Sequence, residues 1–191
     1  MADGFTAPDA QWLNEPDWRV VDDELEVRAQ EGSDFWRHTS YGFVHDSGHA
    51  LLRPLGPDRA CEVDVLASMS EQFDQAGLLV RVSETHWLKA GLELADGALG
   101  VGAVLTDGRS DWSTTPVPWT GTWVRFRISR GPDSLTVRAR PDGGDWQLVR
   151  VVPFTPVGEV AAGPFACSPT REGYVARFRD LTTTAADRDL H

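Results

Sequence analysis

Apolar and polar positions alternate with a period of two along most of the chain, in short runs bounded by Gly, Pro, Asp and Ser, while helical periodicity is nearly absent. The alternation predicts strands at roughly 18–21, 24–30, 40–45, 49–54, 60–68, 75–82, 87–94, 99–106, 112–117, 122–130, 134–140, 146–152, 159–166 and 173–181, with a short helical turn at 9–14. So many short strands, spaced by about 8–12 residues, predict an all-β fold, an antiparallel sandwich or barrel. A chain of 191 residues carries them in one domain. Its core is expected between about 16 and 182, and the polar, patternless tail at 183–191 is expected to fray.

The central strands can be registered from pattern alone, because directly opposed residues share a face. In 75–82, Ala76, Leu78, Val80 and Val82 alternate with Gln75, Gly77, Leu79 and Arg81; in 87–94, Leu88, Ala90, Leu92 and Leu94 alternate with Trp87, Lys89, Gly91 and Glu93. The apolar sets coincide only if the connection holds an odd number of residues, as the loop Ser83-Glu84-Thr85 does. Arg81 then pairs with Trp87, Leu79 with Lys89, Gly77 with Gly91 and Gln75 with Glu93. Asp96-Gly97 is the strongest short hairpin signal. A turn there pairs Glu93 with Gly100, Gly91 with Gly102, Lys89 with Val104 and Trp87 with Thr106. Gly77, Gly91 and Gly102 thus fall side by side across three strands. Glycine inside a strand marks close approach by a ligand or another backbone. The expected result is a shallow trench with a bare floor, flanked by Gln75, Glu93, Lys89, Arg81 and Trp87. Filling of that trench by a loop or Trp of the same chain is the alternative.

Charge and composition narrow the functional classes. Apolar residues make up 41% and charged residues 25%, as in a soluble globular protein. A formal net charge of −11 argues against nucleic acid as a partner. No apolar run is long enough for a transmembrane helix, and the acidic N-terminal stretch lacks an apolar signal core, so a cytoplasmic location without a membrane partner is expected. Cys61 and Cys167 have neither metal nor redox spacing and are expected to be reduced. Of the 18 basic residues only Lys89 is a lysine.

Several clusters could carry chemistry. Glu62 and Asp64 share a strand face, but sandwich glucanases place a third acid three positions further on, where this chain has Ala67; a solvated strand face is the expectation. Glu93 with Asp74 or Asp111 could form another carboxylate pair. His45 and His49 flank Asp46-Ser47-Gly48 without a third metal ligand nearby. Phosphate loops, dinucleotide fingerprints and nucleophile elbows are absent, so no cofactor is expected. Asp111 and Trp112 are expected to overhang one end of the trench, and Trp36 with Arg37 offers an aromatic plate beside a guanidinium.

The segments DFWRHTSYGF, FDQAGLLVR, HWLKAGLEL and SDWS, in this order, resemble a domain-of-unknown-function family of small bacterial and fungal proteins that includes the regulation-of-enolase proteins. The resemblance runs from about Pro16 to Thr182. It implies a concanavalin A-like, jelly-roll sandwich of two antiparallel sheets. The family's polar pattern falls on Asp34, Trp36, Arg37, Tyr41, Asp74, Gln75, Arg81, Trp87, Lys89, Glu93, Asp111 and Trp112, but brings no established reaction. The combined expectation is a non-catalytic module, monomeric or homodimeric, that binds a carbohydrate or small polar ligand on a concave sheet face. Trp36, Arg37, Tyr41, Asp74, Gln75, Arg81, Trp87, Lys89, Glu93, Asp111 and Trp112 are its candidate contacts. A protein partner on the same face, or a glycan-active enzyme using Glu93, are the alternatives.

Overall fold

The computed structural model describes residues 4–190. Sixteen strands fill it: β1 (Gln11–Leu13), β2 (Asp17–Val21), β3 (Glu24–Arg28), β4 (Phe35–Arg37), β5 (Val44–Asp46), β6 (His49–Pro54), β7 (Arg59–Leu66), β8 (Gln75–Ser83), β9 (His86–Ala95), β10 (Ala98–Asp107), β11 (Arg109–Pro116), β12 (Trp123–Arg130), β13 (Ser134–Pro141), β14 (Gln147–Pro153), β15 (Ala161–Cys167) and β16 (Val175–Ala185). Two antiparallel sheets of seven strands run β1-β6-β15-β8-β9-β10-β11 and β14-β13-β12-β7-β16-β3-β2, and β4 and β5 form a separate hairpin.

Alternation puts one face of each sheet into a shared core. From the first sheet come Ala76, Leu78, Val80, Leu88, Ala90 and Leu92; from the second come Val63, Val65, Phe126, Ile128, Val137 and Phe178. Burying these faces against each other is the main favourable term in forming the sandwich. The second sheet's outer face is closed by ion pairs. Asp64 accepts from Arg125 at 2.6 Å and from Arg179 at 3.1 Å, while Glu62 accepts from Arg127 and Thr184. Glu62 and Asp64 are therefore buried under arginines rather than solvated.

The registers deduced from pattern are those observed. Gln75 pairs with Glu93, Gly77 with Gly91, Leu79 with Lys89 and Arg81 with Trp87; Gly91 pairs with Gly102, Lys89 with Val104 and Trp87 with Thr106. Asp96 and Gly97 both have positive φ (51° and 78°), as the tight hairpin turn requires. One detail differs. Ser83 pairs with His86 and the register shifts after Arg81, so the turn is Glu84-Thr85 with a bulge at Val82. The bulge supplies the odd residue expected in the loop.

Three segments depart from expectation. Residues 11–13 form an edge strand, not a helical turn, paired with Ala50–Leu52. The strand expected at 40–45 is a turn followed by β5, and Phe35–Arg37, for which no strand was expected, pairs with it. The tail does not fray at 183: β16 runs to Ala185, and Asp187 then accepts from Arg127 at 2.8 Å and Arg138 at 3.2 Å. Neutralisation of buried-face arginines holds this stretch where hydrophobic pattern gave no signal. His191, the last residue of the expected tail, lies outside the described residues.

Candidate ligand-binding cleft

The outer face of the first sheet carries cross-strand rows fixed by register. One row is Leu79, Lys89, Val104 and Trp112; the next is Phe165, Gly77, Gly91, Gly102 and Thr114; the next is Cys167, Gln75, Glu93 and Gly100. The glycine row has a backbone cause. A Cβ on Gly77 would lie 2.1 Å from the Ala90 carbonyl oxygen, one on Gly91 2.3 Å from that of Ala76, and one on Gly102 2.2 Å from that of Ser113. Adjacent strands approach too closely there for any side chain. The same bare row lets Lys89 on one side meet Gln75 on the other: Lys89 Nζ donates to Gln75 Oε1 at 2.7 Å.

The β4–β5 hairpin lies over the other part of this face. Phe35 is buried against Trp87 (5.9 Å between centroids) and Phe165 (6.4 Å), forming a small second core with Leu79, Val104 and Cys167. Arg81 donates twice to Asp46, at 2.6 and 2.8 Å, and ties the hairpin to β8. Asn14 Nδ2 donates to the carbonyls of Asp46 and Gly48 at 2.8 and 2.9 Å. His49 is buried, with Nε2 accepting from Gln30 N–H and Nδ1 donating to the Asn14 carbonyl. It is thus committed to the backbone, apart from His45, whose ring packs edge-on to Phe43.

Between this hairpin and the rest of the sheet opens a cleft of about 380 Å³, lined by Asp34, Trp36, Tyr41, Phe43, His45, Phe73, Gln75, Lys89, Glu93 and Trp112, among others. One wall is aromatic. Trp36 packs against Tyr41 and edge-on against Trp112, and Tyr41 stacks on Phe43 at 5.3 Å with nearly parallel planes. Tyr41, Phe43 and Trp112 keep 59%, 42% and 37% of their surface exposed. Phe73 also lines the cleft, its backbone held in the left-handed region at φ 65°, a conformation that bulky residues adopt only under local constraint.

The floor is polar. Lys89 Nζ donates to Asp34 Oδ1 at 2.8 Å as well as to Gln75. Burial opposes the ammonium, but the Asp34 carboxylate outweighs it and holds Lys89 above its ordinary pKa. Lys89 therefore stays charged at neutral pH and cannot serve as a base. Glu93 has no hydrogen-bond or ion-pair partner among the described residues. Burial pushes its carboxyl up to about 7, Lys89 opposing and Asp34 assisting. Two carboxyl groups of unlike standing thus share one floor: Asp34 paired, Glu93 unpaired.

Of the candidate contacts, the structure brings together Trp36, Tyr41, Gln75, Lys89, Glu93 and Trp112. The other five lie away from the cleft lining. Trp87 is fully buried beneath Phe35, so the expected aromatic end of the trench is filled by the chain's own hairpin. Arg81 is spent on Asp46. Asp74, also fully buried, accepts from Arg171 at 2.7 Å and from the Ser70 and Glu71 amides. Asp111 points from the sheet edge to Arg150 at 2.9 Å. Arg37 uses its amide on Ser110, and its Nε is buried without a partner. Asp34, Phe43, His45 and Phe73 complete the site. Asp34 was visible only through the family pattern, His45 was noted only beside His49 as an incomplete metal pair, and Phe43 and Phe73, outside the strands, had no signal. Cys61 and Cys167 are both free and buried; burial raises the Cys61 thiol to about 12 and raises Cys167 as well.

Two antiparallel sheets in this crossover order, with a ligand-sized cleft on an outer face, define a concanavalin A-like jelly-roll sandwich. Residues 12–186 match the family described as "Protein of unknown function (DUF1349)", and the chain belongs to that family. Regulation of enolase protein 1 of Saccharomyces cerevisiae is 38% identical over 179 residues, covering 91% of this chain and 88% of that protein. The crystal structure of a functionally unknown protein from the same yeast superposes with a TM-score of 0.87 at 36% identity, covering 93% and 96% of the two chains. The GH43 protein BlXynB of Bacillus licheniformis gives 0.73 at 16% identity, over 96% of this chain but 38% of that one. The carbohydrate binding module CBM66 of Bacillus subtilis gives 0.62 at 14% identity, over 95% and 99%. At such identities the last two share the fold alone.

Proposed function

We propose that the protein is a saccharide-binding module whose site is the cleft between the β4–β5 hairpin and the outer face of the first sheet. The observation that carries this reading is the exposed aromatic wall standing over a buried polar floor. Tyr41, Phe43 and Trp112 offer flat apolar area to a sugar ring, backed by the buried Trp36. Lys89, Gln75, Asp34 and Glu93 offer donors and acceptors to its hydroxyls. The volume suits one or two sugar rings by the usual size of small-molecule pockets. CBM66 of Bacillus subtilis, a carbohydrate binding module, shares this fold. Lys89 is held as an ammonium ion, which favours binding over lysine-based acid–base chemistry.

Isothermal titration with a panel of neutral, acidic and amino saccharides tests the proposal. Trp112→Ala is expected to weaken the best ligand by about tenfold, as loss of one stacking platform does, with an unchanged thermal midpoint. Wild-type affinity in Trp112→Ala, or binding by no member of the panel, rejects it.

A further inference from the structure

The charge arrangement of the cleft narrows the ligand further, on the assumption that the cleft binds a saccharide. Five ionisable side chains line it: Asp34, Tyr41, His45, Lys89 and Glu93, and the Tyr41 ring stacks on Phe43. Lys89 and Asp34 neutralise one another at 2.8 Å. Gln75 Oε1 accepts a second hydrogen bond from the ammonium. His45 packs its ring on Phe43. Glu93 is left over, mostly withdrawn from water, with no donor from the described residues and no arginine on the cleft wall. A carboxyl group in that position gains most from a ligand that brings its own positive charge.

The surroundings agree with a cation. The exposed faces of Trp112, Tyr41 and Phe43 present negative quadrupole faces, which attract ammonium groups and the polarised C–H bonds beside them. The whole chain carries −11, so its field draws cations toward it and repels anionic sugars. Burial also raises Glu93, and an arriving ammonium would draw its proton off into solvent. We infer that the cleft takes an amino sugar with a free amine, its ammonium seated on Glu93 and its ring face against Trp112.

The test is calorimetric titration with a glucosamine trisaccharide, its fully N-acetylated counterpart and cellotriose, near neutral pH. Wild-type protein is expected to bind the free amine about tenfold more tightly than either neutral sugar, the worth of one charge-assisted contact. It should release a proton on binding the amine below about pH 7, read from heats in two buffers of different ionisation enthalpy. Glu93→Gln makes no new demand on the fold, since the Glu93 side chain bonds to no described protein group. It should remove both the amine preference and the proton release, so that the three sugars bind with similar affinity. Equal affinity for all three sugars in wild-type protein overturns the inference and leaves saccharide binding standing. A preference that survives in Glu93→Gln overturns the assignment of Glu93. Binding of none of the three overturns the amino-sugar inference and leaves saccharide binding to the wider panel.

Discussion

Arg81 and Asp46 hold the flap that makes the cleft, and cutting this clamp has a calculable cost. Arg81 donates to both carboxylate oxygens, at 2.6 and 2.8 Å, with side chains 13% and 28% exposed. Exposed pairs contribute about 0–1 kcal/mol. Breaking a buried pair by removing one partner costs about 3–5 kcal/mol. A partly buried bidentate pair falls between, near 2 kcal/mol, or about thirtyfold in an opening equilibrium. Because β4 and β5 pair only with each other, the loss should appear as local opening of the hairpin rather than global unfolding. Hydrogen exchange is the assay. In Arg81→Met, amides of 35–46 should exchange about thirtyfold faster while those of β12 keep their protection. The double variant Arg81→Met/Asp46→Leu should recover most of the loss, since a matched apolar pair leaves no buried charge. An increase below about threefold in the hairpin, or an equal increase in β12, refutes the clamp.

Three further predictions follow from the same geometry. Phe35→Ala empties the small second core and should cost about 3–5 kcal/mol, with Trp87 fluorescence shifting to the red as water reaches it; unchanged emission would show that Phe35 is not its cover. Gly102→Ala places a methyl against the Ser113 carbonyl, a backbone atom that can yield only if edge strand β11 moves; urea unfolding should show a loss of about 1–3 kcal/mol, and a neutral result would remove the backbone explanation for the glycine row. Glu93 is raised to about 7 in the folded state, so the folded protein holds its proton where the unfolded chain has released it, and stability falls as pH rises from about 4.5 to 7. The full effect is on the order of 3 kcal/mol. Stability of Glu93→Gln relative to wild type should therefore climb over that window, and a flat difference contradicts the burial assigned to Glu93.

The parts of the site visible in the sequence were those governed by strand alternation. Face, register and glycine row followed from Ala76 to Leu105 because a one-residue slip would invert every side chain. The missing parts belong to β4 and β5. Each is three residues long, too short for alternation to show, and they pair across a turn with His38 and Ser40 at positive φ. Phe35 and Trp36 are adjacent yet both buried, since the hairpin is covered on two sides. That geometry hides Trp87 and replaces it in the cleft by Trp36, Tyr41 and Phe43. Arg81 on its strand face, Asp74 in the family's polar pattern and Asp111 at a strand end looked like ligand contacts because a charged group there is equally what a ligand or an ion pair requires. Only the positions of Asp46, Arg171 and Arg150, distant in sequence, separate the two.

The indole resonances of ¹⁵N-labelled protein, followed during titration with the saccharide that binds best, test the central claim most directly. The chain has eight tryptophans, of which Trp36 and Trp112 line the cleft, while Trp123 and Trp146 pack with arginines on the other sheet. Ligand in the cleft should move the Trp36 and Trp112 signals and leave those of Trp123 and Trp146 in place. Movement of Trp123 or Trp146 with Trp36 and Trp112 unchanged would put the site on the opposite sheet and contradict the account.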